Sequence, residues 1–287
     1  MSRRTIVRKD ITPPPAPGFI GEGHTAVEVL RPVALSKSDP FVLLMDDRLD
    51  IPRRRHIGGA HPHAGLETVT LVLEGSLVDR DEGELSAGDV IWMTAGRGII
   101  HNESVEAFGR SRVLQLWIGL SAKDRGAPPR FEIVRVANAP RIEAPGVLGR
   151  LYSGTSGALR SPTLNHVPVT LLELSLEAGA SFTQELPGSY NGFFYVIEGS
   201  VRVGEDTVAK GEVGWLAPGS ETELTFTSGD GGGRLVLYAG EPIGEALMQH
   251  GPFVAGSPIE IMEFHRRFQL GQFTKMSELA QAARPAG

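Results

Sequence analysis

The 287-residue chain contains no cysteine. That excludes disulfide scaffolds, cysteine-bound zinc, iron–sulfur clusters and thiol nucleophiles, and it leaves any metal to histidine, aspartate and glutamate. No apolar run approaches the ~18 residues of a membrane span, because glycine, proline or charge interrupts every stretch; no membrane partner is expected. A basic excess is missing as well: 28 Lys plus Arg stand against 34 Asp plus Glu, a formal charge of −6. An extended grip on phosphates needs the opposite sign, so direct nucleic-acid binding is not expected. Arg3-Arg4 is followed by Thr5-Ile6-Val7 and at once by Arg8-Lys9-Asp10, so no apolar signal region develops. The expected location is the cytoplasm, or also the nucleus where the source has one.

What is present is ordinary globular material, 41% hydrophobic and 22% charged, with 36 glycines and 20 prolines spread along the chain. Frequent turns between short segments point to an all-β protein, and the length points to two domains. After the Pro-rich start at Thr12–Pro17, β-type runs cover Ala26–Leu30, Pro40–Met45, Glu67–Glu74, Asp89–Met93 and Val113–Ile118.

The strongest organisational signal is a repeat. Leu71-Val-Leu-Glu-Gly75-Ser-Leu-Val78 is echoed by Tyr195-Val-Ile-Glu-Gly199-Ser-Val-Arg202, and Gly88-Asp-Val-Ile-Trp-Met93 by Gly211-Glu-Val-Gly-Trp-Leu216. Thirteen positions separate Gly75 from Gly88 and twelve separate Gly199 from Gly211. A duplicated small β-barrel accounts for the order and the spacing. The Pro-rich stretch Ser121–Gly149 reads as linker and entering strand, which sets the expected domains at 1–130 and 131–287. Near the C-terminus, Ile259, Met262, Phe264, His265 and Phe268 fit helical spacing, and Ser277–Ala283 also reads as helix.

His61-Pro62-His63 places two imidazoles at i and i+2, the same side of an extended strand. In a chain with eight histidines such a pair arises by chance in about one sequence in five, so it carries weight only with a second element. His101-Asn102-Glu103 supplies one, an imidazole and a carboxylate forty residues later. If the two segments are neighbouring strands, four nitrogen and oxygen donors converge inside the barrel.

The two motifs, His61-Pro-His-Ala-Gly-Leu-Glu-Thr-Val-Thr-Leu-Val-Leu-Glu-Gly75 and Gly88-Asp-Val-Ile-Trp-Met-Thr-Ala-Gly-Arg-Gly-Ile-Ile-His101-Asn-Glu103, resemble the signature of the pirin family in the cupin superfamily, and Gly251-Pro-Phe-Val254 is similar to a further family segment. The resemblance implies two tandem jelly-roll-type cupin barrels with short C-terminal helices. It implies one metal, usually iron, held in the N-terminal barrel by His61, His63, His101 and Glu103, with one or two positions left open. Manganese, copper, nickel, cobalt and zinc suit the same donors. Glu67 stands where many other cupins keep a metal-binding carboxylate, but pirin-like proteins do not usually use that position, so a supporting or ion-pairing role is the alternative. Aligned on the repeat, Glu185, Pro187, Asn191 and Leu224 face His61, His63, Glu67 and His101, so the second barrel is expected to lack the ligand set.

The activity implied is a dioxygenase acting on a small aromatic substrate, a flavonol such as quercetin, with O2 inserted and carbon monoxide released. Glu103 is the expected catalytic base, loosening from the metal to accept a proton. The competing implication is a metal-dependent regulator that docks on transcription factors or metabolic enzymes, and a third reading is a scaffold with an adventitious metal. A monomer is compatible with two barrels in one chain. His24, His56, His166, His250 and His265 have no partner at ligand spacing, Arg53-Arg54-Arg55 reads as a solvated loop, and Pro52, Gly58, Gly59 and Gly65 read as turn residues. Trp92, Met93, Ile99, Ile100 and Trp117 read first as core.

Overall fold

The computed structural model describes residues 3–32, 34–79, 83–102, 105–219 and 222–282. Strands dominate, as the turn-rich composition predicts, and the α-helices among the described residues are Pro258–Gln269 and Met276–Ala282. The chain forms two compact units, one from Met1–Pro13 with Ala137–Pro242, the other from Pro14–Val136 with Ile243–Gly287. Neither is a single stretch of sequence, in contrast to a cut near residue 130. The reason lies at the sheet edges. Arg130–Val134 covers Val90–Thr94 in one sheet, and in the other the corresponding strand Glu212–Leu216 is covered by Ile6–Ile11 from the start of the chain. An uncovered strand would leave a row of unpaired backbone groups.

In the unit from Pro14–Val136 with Ile243–Gly287, a nine-stranded sheet runs Arg130–Val134, Val90–Thr94, Leu66–Glu74, Val105–Gly119, Phe41–Ile57, His24–Leu30 and Ala16–Pro17 in neighbour order, with Ser76–Asp79 and Gly83–Ser86 off this path. Leu66–Glu74 lies in the middle and is buried on nearly every residue, which explains its apolar and β-branched run in place of clean alternation. In the other unit the order is Ile6–Ile11, Glu212–Leu216, Asn191–Val203, Glu223–Gly240, Val169–Leu176, Val147–Ser153 and Arg141–Ala144.

The repeat is visible bond by bond. Gly75 and Gly199 both take positive φ, 74° and 63°, and a Cβ at either would sit about 2 Å from a facing carbonyl, Arg110 O at 2.2 Å or Gly232 O at 2.1 Å. Gly88 N–H donates to Val72 O and Gly211 N–H to Val196 O; Ala87 N–H donates to Gly75 O and Lys210 N–H to Gly199 O. The acid of each Gly-Asp or Gly-Glu turn accepts from the backbone N–H three residues earlier, Ser86 to Asp89 at 3.2 Å and Ala209 to Glu212 at 2.8 Å. Burial alone would raise the Asp89 carboxyl, but Val136 N–H, the Arg135 guanidinium and Ser86 N–H outweigh it and hold it below its ordinary value.

Three local expectations change. Arg53-Arg54-Arg55 and Pro52 belong to the strand Phe41–Ile57, not to a loop or turn. Pro52 stands where that strand's pairing with Val105–Gly119 shifts register, a place that tolerates a residue without an N–H. On the helix Pro258–Gln269, Ile261 and Phe264 are buried while Ile259 and Met262 are exposed. The start sets that phase: Ser257 accepts from Glu260 N–H as N-cap and Pro258 opens the first turn.

Candidate metal centre

The short strand Ala60–His63 pairs antiparallel with Ile99–Asn102, placing His101 directly across from His61 and Ile99 across from His63. The i, i+2 relation turns His61 and His63 to one side, and the cross-strand register brings His101 to them. One nitrogen from each imidazole lies within 4.8 Å of the others, a group able to hold a metal ion. Glu103 lies outside the described residues.

The tautomer of His61 follows from its partner. Its Nδ1 is 3.1 Å from Gly59 O, and a carbonyl can only accept, so Nδ1 carries the proton and Nε2 presents a lone pair. That Nε2 is 2.8 Å from His101 Nε2. At this distance His101 Nε2 meets that lone pair either with its own proton or across a shared cation, and the three-nitrogen donor set fits the cation. Burial, first, lowers all three imidazoles. His63 is pushed to about 3 by burial and then by the neighbouring His61, with the Pro252 backbone pulling the other way. His101 falls well below its ordinary value by burial and by the charge of His63 and His61, and His61 is lowered by burial against the Gly59 bond. At neutral pH the imidazoles are therefore uncharged, the form that binds a metal.

Aromatic side chains border the trio. The Trp117 ring stands edge-on to His63 at 4.9 Å, so Trp117 lines the site as well as joining the apolar cluster of Val42, Leu66, Met93 and Ile99. Phe19, 75% exposed, meets His61 edge-on at 6.1 Å; the sequence reading did not single it out, because a lone loop aromatic carries no spacing signal. Behind the histidines Gly65, at φ 76°, lets the later segment approach: its missing Cβ would fall 1.8 Å from Val254 O. Val254 N–H donates to Ala64 O, and Phe253, Phe264 and Phe273 fill the space beyond. Each such side chain contributes roughly 1.5–3 kcal/mol by leaving water.

Glu67 is buried but not a member of the histidine group. Its Oε1 accepts from Thr94 Oγ1 at 2.7 Å and lies 3.8 Å from Arg130, the supporting and ion-pairing alternative. His24 is a satisfied core histidine: Nδ1 accepts from Ile20 N–H at 3.2 Å, so Nε2 donates to Asp47 at 2.8 Å. His250 and His265, by contrast, meet at 3.2 Å across fifteen residues of sequence. In the other unit the equivalent strands pair Gln184 with Leu224 and Glu185 with Glu223. There Gln184 and Leu186 are buried while Glu185 and Pro187 are exposed, one position from the aligned pair, and Leu224 sits in an apolar core with Phe226 and Leu186.

Residues 27–118 match the family model described as Pirin, and residues 171–274 the model described as Pirin C-terminal cupin domain. The chain is 33% identical over 259 residues to a pirin-like protein of Solanum lycopersicum, covering 88% of each chain. It is 34% identical over 275 residues to a Pseudomonas aeruginosa protein that is provisionally named a quercetin 2,3-dioxygenase, covering 90% of this chain and 94% of that one. The crystal structure of GK1651 from Geobacillus kaustophilus is similar at a TM-score of 0.74 and 33% identity, over 85% of this chain and 99% of that one.

Proposed function

Because the chain belongs to the pirin family and has its two-domain cupin fold, we propose that it is a metal-dependent dioxygenase that opens flavonols such as quercetin, taking up one O2 and releasing one carbon monoxide per turnover. The observation that carries the reading is the uncharged imidazole trio, His63 and His101 buried and His61 half-buried, with two Nε2 atoms 2.8 Å apart. The name of the Pseudomonas aeruginosa relative supports the substrate class. His61, His63 and His101 are the nitrogen ligands and Glu103 the oxygen ligand of this proposal, and iron(II) is the metal, from among the divalent ions that such donors accept.

When bound, the metal supplies an electrophilic open position that the adjacent hydroxyl and carbonyl of a flavonol can chelate, which acidifies the hydroxyl. The other tasks fall to the chain. Gly59 O fixes the His61 ring so that Nε2 points inward. Trp117 and the apolar cluster beside it keep water from the His63 side of the site. Phe19, exposed at the edge of His61, offers an aromatic face to a flat substrate. Glu103 accepts the flavonol hydroxyl proton.

The test is oxygen uptake with detection of carbon monoxide, using iron-loaded protein and a flavonol panel beside His101→Ala. The expected result is stoichiometric O2 consumption and CO release that His101→Ala abolishes. No uptake above His101→Ala with any flavonol sinks the reading; retained metal without turnover would turn attention to the regulatory role.

A further inference from the structure

We propose that His250 and His265 form a second divalent-metal site, on the surface of the unit built from Pro14–Val136 and Ile243–Gly287 and separate from the histidine trio. His250 ends the strand Met248–His250 and is exposed; His265 lies in the helix Pro258–Gln269 and is half-exposed. The Nδ1 of His250 and the Nε2 of His265 are 3.2 Å apart, with ring centroids at 5.4 Å. One nitrogen of such a contact carries a proton and the other a lone pair, so exchanging that proton for a cation gives two ligands without moving either ring far. At metal–nitrogen distances of about 2.0–2.1 Å, nitrogens 3.2 Å apart subtend roughly 100° at the ion, between the octahedral and tetrahedral angles.

The pair is held in place from both sides. The His265 ring stands edge-on to Phe253 at 4.8 Å, and Phe253 is 1% exposed among Ala64, Phe264 and Phe273. His250 is the residue directly across from Phe253 in the hairpin of Met248–His250 with Phe253–Ala255, which turns at Gly251 with φ 56°. The His265 ring thus rests on a buried phenylalanine and the His250 backbone is fixed opposite that residue, which limits what must be ordered when an ion arrives. Imidazole donors with solvent at the remaining positions suit zinc, nickel or copper(II). An ion here ties the hairpin to the helix, and the hairpin includes Pro252, whose backbone acts on His63.

Metal-stripped full-length protein should take up two equivalents of zinc in equilibrium dialysis with elemental analysis. His250→Ala and His265→Ala should each retain one equivalent and weaken the second at least tenfold, while a variant lacking His61, His63 and His101 retains the surface ion. Copper(II) electron paramagnetic resonance gives an independent reading: two signals in the parent protein, one in either surface variant. Zinc uptake by the parent that both His250→Ala and His265→Ala leave unchanged, whether one equivalent or two, overturns the proposal. Because the surface variants leave the trio intact, their outcome is separate from that of the dioxygenase reading.

Discussion

Acid should destabilise the metal-stripped protein through the histidine trio before it reaches the carboxylates. An imidazole whose native pKa lies below that of the unfolded chain stays neutral while folded, whereas the unfolded chain takes up a proton. Its contribution is therefore complete above about pH 6.5 and is lost as the pH falls toward the native value. For His63, with a native value of about 3, going from pH 8 to 5 removes about 2 kcal/mol, and the full loss near pH 3 is on the order of 4–5 kcal/mol. His61 and His101 are lowered too and act in the same direction. Asp46 and Asp89 also lose stabilisation as pH falls, but they are lowered from 3.8, so their window opens only below about pH 5. Between pH 7 and 5 the imidazoles dominate. In a unit of this size 2 kcal/mol corresponds to a fall in Tm of about 4–8 °C. Thermal melts in EDTA from pH 8 to 5 measure it, with His63→Gln in parallel. A flat Tm between pH 7 and 5, or a slope that His63→Gln leaves unchanged, refutes the argument.

Gly75→Ala should lower stability by about 2–4 kcal/mol, since a Cβ at φ 74° would meet Arg110 O at 2.2 Å; Gly157→Ala, where φ is 54° but nothing lies within 4 Å, should lose only about 1 kcal/mol, and urea midpoints compare the two. Asp89→Ala strands the Val136 and Ser86 N–H groups and takes one partner from Arg135, which keeps Glu84 O, and should lose about 2–3 kcal/mol in the same assay. Phe19→Ala should raise the KM for quercetin several-fold and leave kcat nearly unchanged, as steady-state oxygen uptake would show; a fall in kcat at constant KM would remove Phe19 from substrate binding.

Much of the fold and of the site is legible in the sequence because local chemistry dictates it. Gly75 announces a strand end and Gly199 a register shift within the strand Asn191–Val203, both at positive φ, and the acids after Gly88 and Gly211 announce closed turns. His61 and His63 read as one-sided because the period of a strand is two, and Pro62 keeps them extended. What stayed hidden depends on distant partners. Ile6–Ile11 has a mostly exposed pattern with no strong period, and only its pairing with Glu212–Leu216 explains it. The helix Pro258–Gln269 offers Ile259, Ile261, Met262 and Phe264, from which spacing alone does not select the buried pair. His250 and His265 lie on different elements, so no spacing rule unites them.

The way each unit borrows a segment from the far end of the chain dictates an order of events during synthesis. The strands bearing His61, His63 and His101 leave the ribosome well before Phe253, Val254 and Phe273, which back them. The nascent pocket must therefore wait, half-walled, until the tail arrives. On the proposed metal reading, cation loading belongs late in maturation, and a ribosome stalled before residue 243 would display the histidines without Phe253 and Phe273 behind them.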